Sequence, residues 1–340
     1  MRDLLRSGAL ILLGCLAAVG CARDCDRSGL TTPGETRCRV DSWPDREVVV
    51  YTPAGWDGET PLPLVIARHG HSGTGAGFNR STCEDGERGT ANCMDTVADD
   101  EGFAVAYPDG TGTFLGFSRS WNAGGGEGGF RCVGDPACAD GVDDVAYDDD
   151  LFELLSTLLP IDPTRVYATG MSNGAAMSHR LACERPERYA AIVTVAGANE
   201  ATASPGCTPD MPTPVLHIHG SADPCWGYDG AVGEVCSGKG DGDFVGVDAS
   251  MAAWAAINGC TGDPTVAALP DAADDGLTSA LSTWPGCAAD TELLRVDGGG
   301  HTWPGGWQYL AEDTIGPVTT DFSASREAWA FMAAHTRPAD

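Results

Sequence analysis

Seven apolar runs divide the chain, and most are continuous and rich in β-branched or aromatic residues. They begin at Glu47, Pro63, Phe103, Arg165, Ala191, Val215 and Glu292. Runs of this kind are typical of strands that are buried on both faces of a sheet. Apolar residues at helical spacing lie between or after them, in "DDDLFELLSTLLP", "AAMSHRLACE", "DASMAAWAAINGC" and "SASREAWAFMAAHT". This alternation predicts one α/β domain with a mainly parallel central sheet flanked by helices.

Three aspartates, residues 148–150, stand at the start of the first helical pattern. Carboxylates are favourable at the positive end of a helix dipole, so we expect them at the helix N-terminus rather than around a metal ion.

One predicted strand leads into "GMSNG", which places Ser172 in a Gly-x-Ser-x-Gly pattern. With 46 glycines in 340 residues, the pentapeptide alone is a weak signal. Its context is stronger, because a strand is predicted before Ser172 and a helix after it. Such a strand-to-helix turn lifts a serine hydroxyl above the sheet edge. Ser172 is therefore the candidate nucleophile.

Two residues further along the chain complete a catalytic constellation. A serine nucleophile needs a histidine to remove its proton, and that histidine needs an acid to fix its tautomer. Asp223 and His301 each follow a predicted strand, in the chain order Ser, Asp, His. Ligands bind at the carboxyl ends of strands in open α/β sheets, so both loops face the expected site. The remaining histidines are less well placed, because they lie in or beside strands, on the nucleophile helix or, for His335, close to the C-terminus.

The same reaction needs backbone donors for the oxyanion. One is predicted at the amide of Asn173, directly after the nucleophile. The second is predicted in the glycine-rich turn "RHGHSGTG", at the amide of His71.

The net charge of −29 comes from 49 acidic and 20 basic residues. This balance argues against nucleic acid as a partner and disfavours polyanionic substrates. It predicts a solvated acidic surface.

The first twenty residues predict an export signal, because Arg2 and Arg6 precede an apolar run that is too short to span a bilayer. "AVGC" resembles the lipobox of bacterial lipoproteins, which would put a lipid anchor on Cys21. Ordinary signal cleavage is the alternative. Residues 21–45 then form an N-terminal exported segment.

The chain has 14 cysteines and no C-x-x-C pattern. Loss of Cys15 with the signal and lipidation of Cys21 would leave an even number. In an exported protein this favours structural disulfides over zinc or redox chemistry, and no metal or cofactor is predicted. Neighbours in sequence suggest the pairs Cys25–Cys38, Cys83–Cys93, Cys132–Cys138, Cys183–Cys207, Cys225–Cys236 and Cys260–Cys287. The acidic stretch 241–248 does not match the EF-hand pattern, so a polar loop is favoured over a calcium site.

Eight motifs together resemble exported esterases that include polyhydroxybutyrate depolymerase-like enzymes and feruloyl or acetyl-xylan esterases. They are "ARHGHSGTG", "YPDGTG", "SWNAGG", "GVDDVAY", the stretch from "IDPTRVYATGMSNG" to "AIVTVAG", "HIHGSADP", "WAAINGC" and "GGGHTWPGG". The resemblance spans residues 46–335 in order. It implies an α/β-hydrolase fold over residues 46–336 and a metal-free serine esterase.

Carried over by position, the resemblance makes Ser172 the nucleophile, Asp223 the acid and His301 the base. It also places Trp121, Asn122 and Trp303 near the substrate cleft, although a tryptophan in a loop could equally cover the core.

Three features depart from the family pattern, namely Arg68, His71 and the insert 127–139 with its own cysteine pair. All are expected to border the cleft, so they weaken the analogy where substrate choice is decided.

The expected function is hydrolysis of feruloyl or acetyl esters of plant cell-wall polysaccharide through an acyl-enzyme. Depolymerisation of polyhydroxyalkanoate oligomers is the alternative. A peptidase and a non-catalytic surface lipoprotein are the remaining hypotheses. Oligomeric state is not predicted.

Overall fold

The computed structural model describes residues 23–24, 27–112, 118–134, 136–233 and 242–338. The strands are β1 (Arg23–Asp24), β2 (Gly34–Arg39), β3 (Glu47–Thr52), β4 (Leu62–Arg68), β5 (Ala104–Pro108), β6 (Ile161–Met171), β7 (Ala191–Val195), β8 (Val215–Gly220), β9 (Thr265–Ala268), β10 (Thr278–Thr283) and β11 (Thr291–Asp297). The helices are α1 (Arg27–Leu30), α2 (Gly75–Ser81), α3 (Met94–Glu101), α4 (Asp144–Leu158), α5 (Asn173–Glu184), α6 (Val247–Ile257), α7 (Glu312–Ile315) and α8 (Ala324–Ala333).

Within these residues the strands form one sheet, in the order β1-β2-β3-β5-β4-β6-β7-β8-β11-β10-β9. Its centre, from β5 to β11, is parallel. The strands β3, β10 and β9 pair antiparallel at the two sides. The predicted α/β class and mainly parallel sheet are confirmed.

All seven predicted strands are present, and their bounds are close to those of the apolar runs. The sequence did not predict β1, which has two residues, nor did it predict β2, β9 and β10. The last three are largely exposed or half-exposed and lack continuous apolar runs. The segment 21–45, which was set apart from the domain, contributes β2 to the same sheet.

Two hydrophobic cores cover the two faces of the sheet. One packs α4 and α5 against inward residues such as Leu64, Ile66 and Val166. The other packs α2, α3 and α8 against alternating residues such as Val65, Val105 and Val193. The central strands are therefore buried on both sides, which explains why their sequences are continuously apolar.

The aspartates 148–150 are not at a helix start, which corrects the expectation from sequence. The helix α4 begins at Asp144, and Asp143 caps it by accepting a hydrogen bond from the Ala146 amide. Asp148 lies one turn further and is buried. Its carboxylate pairs with Arg68, which is 1% exposed.

Arg68 therefore does not border the cleft as expected. Its guanidinium lies in the core with Asp148 and the Tyr189 hydroxyl. Arg188 also pairs with Asp148, at 2.8 Å.

Four of the suggested disulfides are confirmed, namely Cys83–Cys93, Cys132–Cys138, Cys183–Cys207 and Cys260–Cys287. Cys38 and Cys225 are also disulfide-bonded. Their suggested partners, Cys25 and Cys236, lie outside the described residues, as do the predicted signal and Cys21. In the part of the chain that is described, no helix combines the length and apolar character needed to cross a membrane.

Candidate active site

Ser172 occupies a sharp turn between β6 and α5, as its sequence context predicts. Its φ of 56° and ψ of −123° lie in a region that residues other than glycine rarely adopt. The turn is held by the Ser172 amide, which donates to the Val195 carbonyl at 2.8 Å. Strain of this kind persists only where the surrounding structure enforces it.

The glycines around Ser172 are required by close backbone packing. A Cβ on Gly174 would lie 2.2 Å from the Arg68 carbonyl oxygen. A Cβ on Gly70, in the loop after β4, would lie 3.2 Å from the Cβ of Ser172. The β4 loop therefore runs directly against the serine, where the second oxyanion donor is expected.

His301 and Asp223 come together from the ends of adjacent strands, β11 and β8. The Nδ1 of His301 lies 2.7 Å from the Asp223 Oδ2, and both side chains are buried. The other carboxylate oxygen, Oδ1, accepts from the amides of Cys225 and Trp226 at 2.7 and 2.9 Å. Because a carboxylate accepts this bond, Nδ1 carries the proton and Nε2 of His301 remains for other chemistry.

Asp223 is held in its charged form. Burial favours the neutral acid, but the positive potential of His301 and the hydrogen bonds from His219 and His301 lower the pKa of Asp223 below its ordinary value. The outcome is a buried carboxylate able to orient an imidazole and stabilise its protonated form.

The serine end of the constellation is open. Among the described residues, the hydroxyl of the half-buried Ser172 has no hydrogen-bond partner. Catalytic hydrogen bonds are often long before substrate binds. The backbone of His301 is fixed at the same time, since its amide donates to Ile315 at 2.6 Å and its carbonyl accepts from the Tyr309 hydroxyl at 3.0 Å.

Asn173 stands at the N-terminus of α5 and is 2% exposed. Its amide is one of the helix amides without a partner inside the helix, which makes it suited to an anion. Its side chain has a second role that the sequence did not predict. The Asn173 amide group accepts from the Trp121 backbone N–H at 2.7 Å and donates to the Trp121 carbonyl at 2.9 Å.

His71 is exposed in the β4 loop, one residue from Gly70. The neighbouring Ser72 has a φ of 62° and donates its amide to the Arg119 carbonyl. His69 anchors the loop from below, because its Nε2 accepts from the Gly110 amide at 2.8 Å and its Nδ1 donates to the Gly70 carbonyl at 2.7 Å. Burial lowers the pKa of His69 to about 3, so it stays neutral.

Comparison with known proteins identifies the relatives of this chain. Residues 44–258 match the model of a family described as "Putative esterase". The chain belongs to this esterase family. The match includes Ser172 and Asp223, whereas His301 lies beyond it. The α/β-hydrolase fold expected of such an esterase is borne out by the parallel sheet and the serine turn.

Curated relatives include "Feruloyl esterase B" of Piromyces equi, 28% identical over 79% of this chain and 46% of that protein. "Putative esterase NocK" of Nocardia uniformis subsp. tsuyamanensis is 29% identical over 79% of this chain and 74% of that protein. This chain thus spans less than half of the first relative. Among solved structures, "Acetyl xylan esterase from Aspergillus awamori" has a TM-score of 0.48 at 17% identity, covering 76% of this chain and 89% of that one.

In this family member the rings of Trp121 and Trp303 are both 1% exposed. The Trp121 indole donates to the His69 carbonyl at 3.0 Å, and the Trp303 indole donates to the Ser325 hydroxyl at 3.1 Å. Their rings therefore pack in the two cores, which is the alternative that the sequence left open.

Asn122 is likewise tied to its surroundings rather than presented to a ligand. Its side chain donates to the Val142 carbonyl, and its backbone contacts Asp144 and Arg180.

The insert 127–139 packs directly behind the site. A Cβ on Gly134 would lie 1.7 Å from the Trp121 carbonyl oxygen and 2.8 Å from the Asn173 side-chain nitrogen. Phe130 of the insert forms a β-bridge with Asp243. The next residue, Phe244, stacks on Trp226 with 4.1 Å between the ring centroids. The insert thereby connects the serine turn to the loop that precedes α6.

Within the described residues, the one cluster with metal-ligand spacing is Asp223, Cys225 and His301. The sulfur of Cys225 is in a disulfide, and Asp223 and His301 already bind each other. This donor set does not fit a metal ion, because a ligating thiolate must be free.

Two groups of residues at the site were missed from sequence. His217 and His219 extend the constellation behind Asp223, and Glu200 is a second buried carboxylate at the same sheet edge. The spacing of the two histidines was the available signal, because residues i and i+2 of a strand face the same side.

Proposed function

We propose that this protein is a serine carboxylic-ester hydrolase that works through an acyl-enzyme. The observation that carries the proposal is the strained Ser172 turn at a helix N-terminus together with the 2.7 Å His301–Asp223 contact. Family membership supports the same reaction class.

In the first half of the proposed reaction, Ser172 Oγ attacks the ester carbonyl while Nε2 of His301 takes the hydroxyl proton. Asp223 stabilises the imidazolium through Nδ1–H. The carbonyl oxygen becomes an oxyanion that the amides of Asn173 and His71 would bind. Collapse of the intermediate breaks the bond to the alcohol, which leaves with the proton from His301.

In the second half, water attacks the acyl-Ser172 ester and gives its proton to His301. The new intermediate collapses, the acid is released, and His301 returns the proton to Ser172 Oγ. The scheme needs no cofactor.

We propose feruloyl or acetyl esters of plant cell-wall polysaccharide as the substrate class. This rests on relatives that include a feruloyl esterase and an acetyl-xylan esterase/xylanase by name. Polyhydroxyalkanoate oligomers are the alternative, and a panel of substrates separates them.

The test is a spectrophotometric panel on purified residues 22–340, with methyl ferulate, p-nitrophenyl acetate, a hydroxybutyrate oligomer and a chromogenic peptide. We expect ester turnover, and we expect Ser172→Ala to lower kcat on the order of 10⁴- to 10⁶-fold. Ser156→Ala, an exposed serine on α4, is the control and should match the wild type.

Preference for methyl ferulate or for acetate would support the cell-wall substrate class. Preference for the oligomer would replace it with the alternative. Equal inactivity of wild type and Ser172→Ala on every ester, with a cooperative melting transition, would overturn the proposed function.

We further propose an extracellular location, because disulfides are typical of proteins that fold in oxidising compartments. Lipidation at Cys21 remains a prediction, and mass spectrometry of the protein from bacterial membranes would test it.

A further inference from the structure

A continuous chain of buried polar groups runs behind the acid of the candidate triad. The Thr194 hydroxyl on β7 lies 2.8 Å from Nδ1 of His217, its cross-strand neighbour on β8. The Nε2 of His217 lies 3.0 Å from Nδ1 of His219. The Nε2 of His219 lies 2.8 Å from the Trp226 carbonyl oxygen and 3.4 Å from the Asp223 Oδ2.

We propose that His219, oriented by His217, is a positioning residue for Asp223. This inference rests on the proposed function, because it assigns His219 a role in keeping Asp223 aligned with His301. The role goes beyond the three triad residues, since His219 touches neither the serine nor the expected place of the substrate.

The direction of each hydrogen bond in this buried series follows from the bond at its last member, the Trp226 carbonyl. A backbone carbonyl can only accept, so the bond to Trp226 requires a proton on Nε2 of His219. In a neutral ring Nδ1 is then an acceptor, and it receives the Nε2–H of His217. The Nδ1 of His217 in turn accepts from the Thr194 hydroxyl. Every polar side-chain atom of Thr194, His217 and His219 therefore has a partner, which a buried network requires to be stable.

Burial makes this arrangement rigid. His217 and Thr194 are fully buried, and His219 is 1% exposed. Burial, with contributions from His219 and His179, lowers the pKa of His217 far below its ordinary value, so His217 is neutral. Three other titratable groups face this region. They are His179, whose ring centroid lies 5.6 Å from that of His217, Tyr228, against the His219 ring, and Tyr309, near Asp223.

The contacts of His219 explain what it can position. Asp223 stands in a turn whose Cys225 and Trp226 amides bind its Oδ1. His219 holds the opposite side of the same turn through the Trp226 carbonyl, and its Nε2–H also faces Oδ2, the oxygen that binds His301. One ring at the end of β8 therefore fixes both the turn and the carboxylate that the turn carries.

Two isosteric variants separate the two nitrogens of His219. Gln places its amide nitrogen near the Nε2 position, so His219→Gln keeps a donor toward Trp226 and Asp223. Asn places its amide near the Nδ1 position, so His219→Asn keeps only the contact with His217. The control is His335→Asn, a half-buried histidine outside this network whose ring nitrogens contact the Phe331 carbonyl and Asp290.

We expect His219→Asn to lower kcat about 10- to 100-fold with KM changed by less than about 3-fold, since misplacement by about 1 Å costs that much. His219→Gln should recover most of this loss, and His335→Asn should keep the kcat of the wild type. The concentration of active enzyme is taken from the p-nitrophenyl acetate burst, so that a merely unstable variant is not counted as a slow one.

Nitrogen-15 NMR of histidine-labelled protein provides a readout that needs no substrate. We expect Nε2–H tautomers for His217 and His219, with His69 as the Nδ1–H reference. We also expect the His301 Nδ1 proton, which reports its bond to Asp223, to shift in His219→Asn and to stay in His219→Gln.

An unprotonated Nε2 on His219, or an unchanged His301 proton in His219→Asn, overturns the inference. So does an active His219→Asn enzyme with the kcat of the wild type. If the wild type hydrolyses no ester, the proposed function fails, and the NMR comparison still decides whether His219 holds the Asp223–His301 pair.

Discussion

Two buried carboxylates at the ends of neighbouring strands, Asp223 after β8 and Glu200 after β7, have opposite surroundings. Asp223 receives two backbone amides on one oxygen and faces His301 and His219 on the other. Glu200 is fully buried, and its Oε1 accepts one bond, from the Val245 amide at 2.5 Å. Its Oε2 has no partner among the described residues.

The pKa values of the two groups follow from this difference. Burial favours the neutral form of both acids. At Asp223 the histidines outweigh burial and lower the pKa. At Glu200 burial prevails over the single amide bond and raises the pKa to about 8. The number of donors around a buried carboxylate, more than its burial, therefore decides whether it can serve as the acid of a triad.

Asp223→Asn should have the largest effect on activity, because it removes the charge that distinguishes Asp223 from Glu200. The side chain keeps its shape but loses its charge, so His301 takes the wrong tautomer and its protonated form is not stabilised. We expect kcat to fall on the order of 10⁴-fold at neutral pH, as in other triads. Steady-state kinetics on the best ester of the panel measures this.

Asp229→Asn is the matched control, because Asp229 is an exposed aspartate in the same loop. It should keep the activity of the wild type. A loss below about 10-fold in Asp223→Asn would mean that this carboxylate does not act as the triad acid.

A third buried carboxylate, Asp148, tests whether charged partners matter outside the site. It binds Arg68, Arg188 and the Tyr189 hydroxyl. Asp148→Asn would leave the buried Arg68 without its counter-charge, so we expect the free energy of unfolding to fall by about 3 kcal/mol. Urea denaturation measures this, with Glu153→Gln on the exposed face of α4 as the control.

The triple variant Arg68→Met, Asp148→Leu and Tyr189→Phe removes both charges and the hydroxyl that bonds to them, while Arg188 keeps its ion pair with Asp149. It should recover most of the lost stability, because well-packed apolar residues can replace a buried ion pair. If it is no more stable than Asp148→Asn, stranded charge is not the cause of the loss.

The comparison also shows which features the sequence could predict. The parallel strands were visible because burial on both faces makes them continuously apolar, and the Ser172 turn was visible because glycines must flank it where Arg68 and Gly70 approach. These features depend on short-range pattern. The polar strand β2, second from the edge of the sheet, gave no such pattern, because most of its residues are exposed or half-exposed.

Partners distant in sequence were not predictable. Nothing near Arg68 in the chain indicates that it pairs with Asp148, 80 residues away, so its departure from the family pattern was assigned to the cleft. Likewise the tryptophans 121 and 303 stand beside motif residues in the sequence, yet their rings turn into the cores. Tertiary contacts, which periodicity does not encode, decide where such side chains point.

The smallest expected effect comes from Glu200→Gln, which makes the neutral state of Glu200 permanent. The folded protein binds the Glu200 proton up to a pH of about 8, whereas the unfolded chain releases it near 4.5. Stability contributed by the protonated form is therefore present below pH 4.5 and is lost as the pH rises toward 8.

We expect Glu200→Gln to raise the free energy of unfolding by about 1 to 2 kcal/mol at pH 8 and to have little effect at pH 4, since burying the extra amide donor offsets part of the gain. Melting curves at the two pH values measure it, with the exposed Glu187→Gln as the control. An equal effect at both pH values would show that Glu200 does not titrate in this interval, and that the opposite behaviour of the two carboxylates comes from packing instead of protonation.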